Sequence, residues 1–270
     1  MNTVQIPGIC EEPQRSAPKK EGTKRYKLVL DYRDGAISIV EFNSSTEPLD
    51  KTIFTEIQEL TEDEVSILGT EIADHAYDEN LDIHCDKCNK FYRPYCRLHP
   101  LFKIPDRVIK PSDKPESKSF SERTLPILFK IEKSKLPNAG LGVFAETFIP
   151  VGMVFGPYKG VKVYKKDKFY KDGYAWLIKG RDRKFYIDGS HPEKSNWLRY
   201  INSPRHEAEQ NMLAFQTNGK IFYRVIKPIR INEELLVWYG SSFGSEFVGS
   251  DSEGGSGGRT KKYAKNPFIL

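Results

Sequence analysis

The chain has 270 residues and a formal net charge of +5, with 38% hydrophobic and 12% aromatic residues. That length suits one ordinary domain with additions, or two small ones, and the modest apolar content supports a core while leaving part of the chain as tail or linker. No run of 18 apolar residues occurs, which excludes a membrane-spanning helix, and Met1 to Pro18 lack the apolar stretch of a secretory signal.

Charge is unevenly spread. Glu47 to Asp82 hold 12 acidic residues and a single lysine, so the remainder of the chain is strongly basic. A basic remainder suits acidic partners such as nucleic acid or nucleosomes, and a solvated lysine surface accounts for it equally well. Three of the four cysteines, Cys85, Cys88 and Cys96, fall within 12 residues. An odd, tightly clustered set with no export signal argues for metal rather than disulfides.

Residues 1–23, rich in Pro, Lys, Glu and Ser, read as a disordered tail. Residues 24–82 read as a hairpin followed by an acidic helix. Leu28, Leu30 and Tyr32 alternate before Asp34-Gly35, and Ile37 and Ile39 alternate after it, the pattern of two strands about a turn. Thr61 to Glu64 have capping-box spacing. Val65, Leu68, Ile72 and Ala76 then recur at three- and four-residue steps, which predicts one helix carried through Ala76.

Residues 83–102 read as a zinc knuckle. Cys85-x-x-Cys88 and, seven residues on, Cys96-x-x-His99 offer four donors in two close pairs. Zinc takes four such ligands in a tetrahedron, and a two-residue gap lets each pair grip from one tight turn. His84 is the alternative ligand, handicapped by its neighbour Cys85. A closed Cys3His site leaves no position for substrate, so the role is structural, and so small a unit depends on its metal to fold. Cys10 stands apart as a spare thiol.

Residues 103–125, with Pro105, Pro111 and Pro115, read as a linker. From Pro126 to Phe243 short β-type runs alternate with Gly, Pro and Asn: Val151–Tyr158, Tyr174–Ile178, Lys184–Ile187 and Ile221–Ile226. Asn218-Gly219 marks a hairpin, and the only helical stretch expected here is near Ser195–Tyr200. Residues 244–270 read as a flexible Gly/Ser-rich tail with a basic patch at Arg259–Lys265. The fold expected is mostly β.

Three segments of the β region stand out together: Asn138-Ala139-Gly140-Leu141-Gly142-Val143-Phe144, Asn196 to Ser203, and Glu234 to Gly240. With Phe155-Gly156-Pro157-Tyr158, Gly173 to Leu177, Glu209-Gln210-Asn211, Ala214-Phe215-Gln216 and Ile221 to Arg224, their ordered set resembles the PR branch of the SET family of lysine methyltransferases. Together with the upstream knuckle, the pattern is most similar to the PR-domain zinc-finger enzymes of meiotic recombination sites, without their finger array. The resemblance covers roughly residues 83–243.

The resemblance implies a SET-type β-fold of short sheets with few short helices over residues 126–243, preceded by the knuckle. It implies methyl transfer from S-adenosylmethionine to lysines of the histone three tail, at its fourth and possibly thirty-sixth residues, by a nuclear enzyme acting on a histone tail peptide or nucleosome. By position, Ala139, Gly140, Leu141, Tyr174, Asn202 and Ser203 contact the cofactor. Tyr158, Tyr223 and Tyr239 line the lysine channel as catalytic residues. Lys171, Asp172, Gly173, Tyr174, Ala175, Trp176 and Leu177 border the peptide, with Trp176 read as structural. Ile201-Asn202-Ser203-Pro204 stands where many SET enzymes carry Asn-His, and no cysteine cluster follows, departures that PR domains share. A silent PR domain acting as a chromatin-protein scaffold is the alternative, and the three tyrosines favour the enzyme. A nucleic-acid-binding module is the third reading. A lone knuckle without a basic recognition helix speaks against it, because specific readout needs side chains presented in a groove, so sequence-specific DNA binding is not expected of this chain.

Overall fold

In the computed structural model the described residues are 24–42, 50, 52–78, 80–110, 118–164, 173–179 and 184–239. The expected tails at 1–23 and 244–270, Cys10, Lys171 and Asp172 lie outside them. Within them the chain is mostly β, as expected, with fifteen strands and two short α-helices.

Strands β1 (Arg25–Asp31) and β2 (Ala36–Phe42) form the expected hairpin, and β3 (Phe54–Leu60) adds to the other side of β1, giving the order β2-β1-β3. Asp31 pairs with Ala36 across a four-residue loop. Leu28, Val29, Leu30 and Ile37 are buried, whereas Tyr32 falls in the loop and is exposed.

The acidic helix is much shorter than its periodicity predicts. Helix α1 (Glu62–Ser66) has the capping box, with Glu64 N–H donating to the Thr61 side chain and Thr61 N–H to the Glu64 carboxylate. It stops before Gly69, whose φ is +81° and whose N–H donates to Tyr95 O. Ile72 then sits in β4 (Thr70–Ile72) and Ala76 in a 3-10 turn, Asp74–Ala76. Pairing with a distant strand overrides the local helical period.

That strand is β6. Strands β5 (Ile83–Cys85) and β6 (Lys90–Arg93) make a hairpin around the first cysteine pair, and β4 joins the far side of β6. The stretch read as a linker also contains regular elements. Strand β7 (Phe102–Ile104) pairs in parallel with a later strand, and α2 (Phe120–Arg123) carries a second capping box, Ser119 with Glu122. Asp106 accepts from Trp197 Nε1 at 3.0 Å, Asn196 Nδ2 at 3.2 Å and Lys159 Nζ at 2.7 Å, which pins this stretch to the core. Pro105 stands next to Asp106, so a proline here does not prevent docking.

Strands β8 (Phe129–Lys133) and β9 (Leu141–Ala145) pair with each other. Strand β10 (Met153–Phe155) lies between β7 and a later hairpin. Strands β11 (Val161–Val163), β12 (Ala175–Lys179) and β13 (Lys184–Asp188) form a sheet in the order β11-β13-β12. The helical expectation near Ser195–Tyr200 is met by a 3-10 turn, Trp197–Tyr200. Strands β14 (Met212–Thr217) and β15 (Lys220–Val225) complete the sheet β14-β15-β10-β7. Their two-residue connection, Asn218 and Gly219, has φ of +48° and +65°, the doubly positive geometry that matches the strand twist.

One core joins these sheets. At its centre Phe129 stacks on Trp197 with centroids 5.1 Å apart, and Phe155 meets both rings edge-on. Val143, Ile149, Ile178, Ile201, Met212, Ile229, Leu235 and Val237 are fully buried around them.

Candidate active site and metal cluster

The four expected metal ligands converge. Asn89 N–H donates to Cys85 O at 2.8 Å and closes the β5–β6 turn that carries Cys85 and Cys88. The Sγ atoms of Cys85 and Cys88 each lie 3.4 Å from His99 Nδ1. Cys96 Sγ lies 3.7 Å from both His99 Nδ1 and Cys88 Sγ. All four ligand atoms lie within 4.8 Å of one another. With Zn–S near 2.3 Å and Zn–N near 2.0 Å, a tetrahedral site has edges of roughly 3.5–3.8 Å, so the spacing fits a zinc-sized cation. Burial and the neighbouring sulfurs push the Cys96 thiol up to about 11; a central cation reverses that preference and favours thiolates. His84 stays outside the cluster and bonds Asp86 at 3.2 Å.

The three expected channel tyrosines also converge, on one indole. Tyr158, Tyr223 and Tyr239 rings lie 6.5, 5.7 and 5.4 Å from the Trp176 ring. Tyr223 is on β15 and Trp176 on β12, while Tyr158 follows β10 and Tyr239 follows the run Leu235–Val237. Trp176 Nε1 donates to Tyr223 OH at 2.7 Å. Tyr223 in turn donates to the Tyr239 hydroxyl, which donates to Ile201 O at 2.5 Å. Tyr158 OH donates to Tyr174 O at 2.8 Å. Each phenolic proton is therefore committed, and the oxygens turn lone pairs to any further donor. Burial pushes all three phenols well above their ordinary range, so they remain neutral and none serves as a phenolate base near neutral pH.

Beside this cluster, Tyr174 lies under the Arg199 guanidinium at 4.4 Å. Of the residues expected to border a peptide, Gly173 has φ +71°, Ala175 pairs with Asp188, and Trp176 and Leu177 are buried.

Apart from Tyr174, the expected cofactor residues form a second group. Asn138 and Gly140 have φ of +62° and +73° in the loop before β9, and among the described residues no atom beyond its chain neighbours lies within 4 Å of where a Gly140 Cβ would stand. Leu141 is exposed. Asn202 Nδ2 donates to Leu141 O at 2.9 Å and to Glu234 Oε1 at 3.2 Å. Ser203 Oγ accepts from Tyr239 N–H at 3.1 Å. The loop 139–141, Asn202 and Ser203 thus meet beside Tyr239, and the open space over Gly140 admits a flat ligand against the backbone. Ala139 takes part only through its main chain, with its N–H donating to Leu136 O at 3.3 Å.

Glu234 organises this group, a part the motif reading did not assign it. Its buried carboxylate accepts from Ser134 Oγ at 2.6 Å, Lys135 N–H at 2.9 Å and Asn202 Nδ2. A Cβ at residue 142 would strike that carboxylate, which explains Gly142. The only sequence signal is an acidic residue heading an apolar run.

Residues 129–250 match the family described as PR domain zinc finger protein 2, PR domain. Histone-lysine N-methyltransferase set-17 of Caenorhabditis elegans is 70% identical over 269 residues, which span 100% of this chain and 94% of that protein. The chain belongs to the PR/SET family of histone-lysine N-methyltransferases. A further PR/SET relative, histone-lysine N-methyltransferase PRDM7 of Homo sapiens, is 38% identical over 64% of this chain and 36% of its own length. Among solved structures, the methyltransferase domain of human PR domain-containing protein 2 is 32% identical over 49% of this chain and 96% of that domain, with a TM-score of 0.41.

Proposed function

We propose that the chain transfers methyl groups from S-adenosylmethionine to lysine side chains of the histone three tail, at its fourth and thirty-sixth residues, within the nucleus. The observation that carries this is the Trp176–Tyr223–Tyr239–Ile201 chain of donors together with Tyr158, because it leaves neutral phenol oxygens facing a shared aromatic space.

When bound, S-adenosylmethionine supplies an electrophilic sulfonium methyl. The protein's own residues do the rest. The loop Ala139–Leu141 offers open backbone, Glu234 fixes that loop through Ser134 and Lys135, and Asn202 and Ser203 join it to the Tyr239 segment. Four aromatic rings exclude water, which disfavours the charged lysine and lowers its pKa. The same rings attract the ammonium forms before and after reaction. The phenol oxygens of Tyr158, Tyr223 and Tyr239 accept N–H bonds, which aims the amine lone pair along the line of displacement. Rate comes from this positioning rather than from a titrating base. The peptide lies along the segment 171–177. Cys85, Cys88, Cys96 and His99 hold zinc, which supplies structure and takes no part in the transfer.

Incubating the protein with a histone three tail peptide and S-adenosylmethionine, then weighing the peptide, tests the reading. Mass gains of one methyl on the lysines support it. An unmodified peptide from protein that binds S-adenosylhomocysteine would instead identify a silent scaffold.

A further inference from the structure

Strand β15 lies between two different neighbours. Ile221, Tyr223 and Val225 point into the main core, and successive side chains of a strand alternate in direction. Phe222 and Arg224 therefore face the other way, where Phe222 stacks on Phe215 and the Arg224 guanidinium lies 5.6 Å from the Phe215 centroid. Arg224 is only 5% exposed. Its Nη1 donates to His84 O at 2.5 Å and its Nη2 to Asp86 Oδ2 at 2.8 Å. These two contacts flank Cys85, the first ligand of the metal cluster.

A second tie runs in parallel. Asn80 O accepts from Asn218 N–H at 2.7 Å and Thr217 Oγ1 at 3.2 Å, at the turn that opens β15. Its Oδ1 accepts from Gln216 Nε2 at 2.6 Å. Gln216 also brackets the end of β12, accepting from Lys179 N–H and donating to Lys179 O. Residues 80–86 thus fasten both strands that carry the donor pair Trp176 and Tyr223.

We propose that Arg224 is a positioning residue for methyl transfer: by anchoring the back of β15 to the metal-binding loop, it sets where the Tyr223 oxygen stands in the lysine channel. A buried guanidinium requires its partners, because an uncompensated charge in the interior is strongly unfavourable. The metal-binding loop supplies them only while it keeps its shape. Tyr223 is the next residue, so a shift of β15 moves its hydroxyl relative to Tyr239 and Tyr158. Displacements near 1 Å at a reacting centre can lower rates about 100-fold. The inference rests on the methyltransferase reading for its kinetic part, and on the contacts alone for its metal part.

The test compares wild type, Arg224→Met and Asp86→Ala. Methionine keeps much of the stem volume and removes both anchors; Asp86 is a surface residue whose loss spares the His84 carbonyl contact. Three quantities are read: kcat and KM on the histone three peptide, S-adenosylhomocysteine affinity by calorimetry, and the rate at which a chromophoric chelator removes zinc. Arg224→Met should lower kcat about 10- to 100-fold, with peptide KM and S-adenosylhomocysteine affinity within about twofold of wild type. It should also surrender zinc faster, and Asp86→Ala should change both quantities in the same directions by less. Wild-type kcat and zinc release in Arg224→Met would overturn the proposal, as would parallel loss of kcat and cofactor affinity. Should Arg224→Met not fold, Asp86→Ala decides, with unchanged kcat and zinc release counting against the anchor. An inactive wild type would refute the methyltransferase reading, and zinc release then decides the anchor by itself.

Discussion

Replacing Tyr239 by Phe removes one oxygen and leaves the ring against Trp176. The bond to Ile201 O disappears and Tyr223 loses its acceptor, so the donor chain is cut at its end. Losing one preorganised polar contact of this kind typically costs about 100- to 1,000-fold in rate. Steady-state kinetics should show that fall in kcat while calorimetry finds S-adenosylhomocysteine affinity little changed; equal loss of both would mean that the tyrosine only props up the fold. Gly142→Ala acts on the other group. Its Cβ would meet the Glu234 carboxylate and Asn202 Nδ2, and overpacking of this kind costs about 1–3 kcal/mol. Both a lower melting temperature and weaker S-adenosylhomocysteine binding are expected, and an alanine variant that binds as wild type would dissociate Glu234 from the cofactor loop. The tyrosines were singled out in the sequence because each lies inside one of the segments that carry the family resemblance, and the fold brings their rings around Trp176. Glu234 was not, because Ser134 and Lys135 lie about a hundred residues away and no local pattern joins them.

Elements were legible where their cause is local. The Asn218-Gly219 hairpin and both pairs of the Cys/His cluster follow from turn chemistry within a few residues. The helix expected through Ala76 failed because β4 finds β6 some twenty residues on, Thr70 opposite Arg93 and Ile72 opposite Phe91. The same sheet contains a testable electrostatic element. Asp82 is buried and accepts from Arg93 Nε at 2.5 Å, Arg93 Nη2 at 2.9 Å and Asp78 N–H at 2.9 Å. Burial by itself raises its carboxyl, but the Arg93 bonds, the Asp78 N–H and the Arg93 charge outweigh that and hold it below the usual range. A folded pKa below the unfolded value contributes stability above about pH 3.9, and that contribution is lost as pH falls through the folded pKa. Asp82→Asn should therefore destabilise the protein at pH 7 by on the order of 1–3 kcal/mol. The gap between the two urea midpoints should narrow below the unfolded carboxylate pKa, and a gap that stays constant from neutral to strongly acid pH would show that the charge contributes nothing.

At the scale of the whole molecule, two cores of unequal independence meet at residues 80–86. The larger one, around Phe129, Phe155 and Trp197, contains most of the buried apolar side chains of the described residues. The smaller consists of Cys85, Tyr92 and Cys96, with Cys88 against it. So little apolar surface cannot offset the ordering of its own loops, and under the zinc site proposed above the cation would supply the difference. Stripping zinc with a strong chelator should therefore act in a graded way. Hydrogen exchange followed by mass spectrometry should show protection lost first in β4, β5 and β6, while β8, β9 and the stretch Ile229–Val237 keep theirs. The back of β15 belongs to both regions through Arg224 and Asn80, so its exchange should rise by an intermediate amount. S-adenosylhomocysteine should still bind the stripped protein, because the loop 139–141, Asn202 and Glu234 are held by bonds to one another and to Ser134 and Lys135. Simultaneous loss of protection in all strands, with loss of cofactor binding, would show that the protein unfolds as one unit and that the metal stabilises all of it.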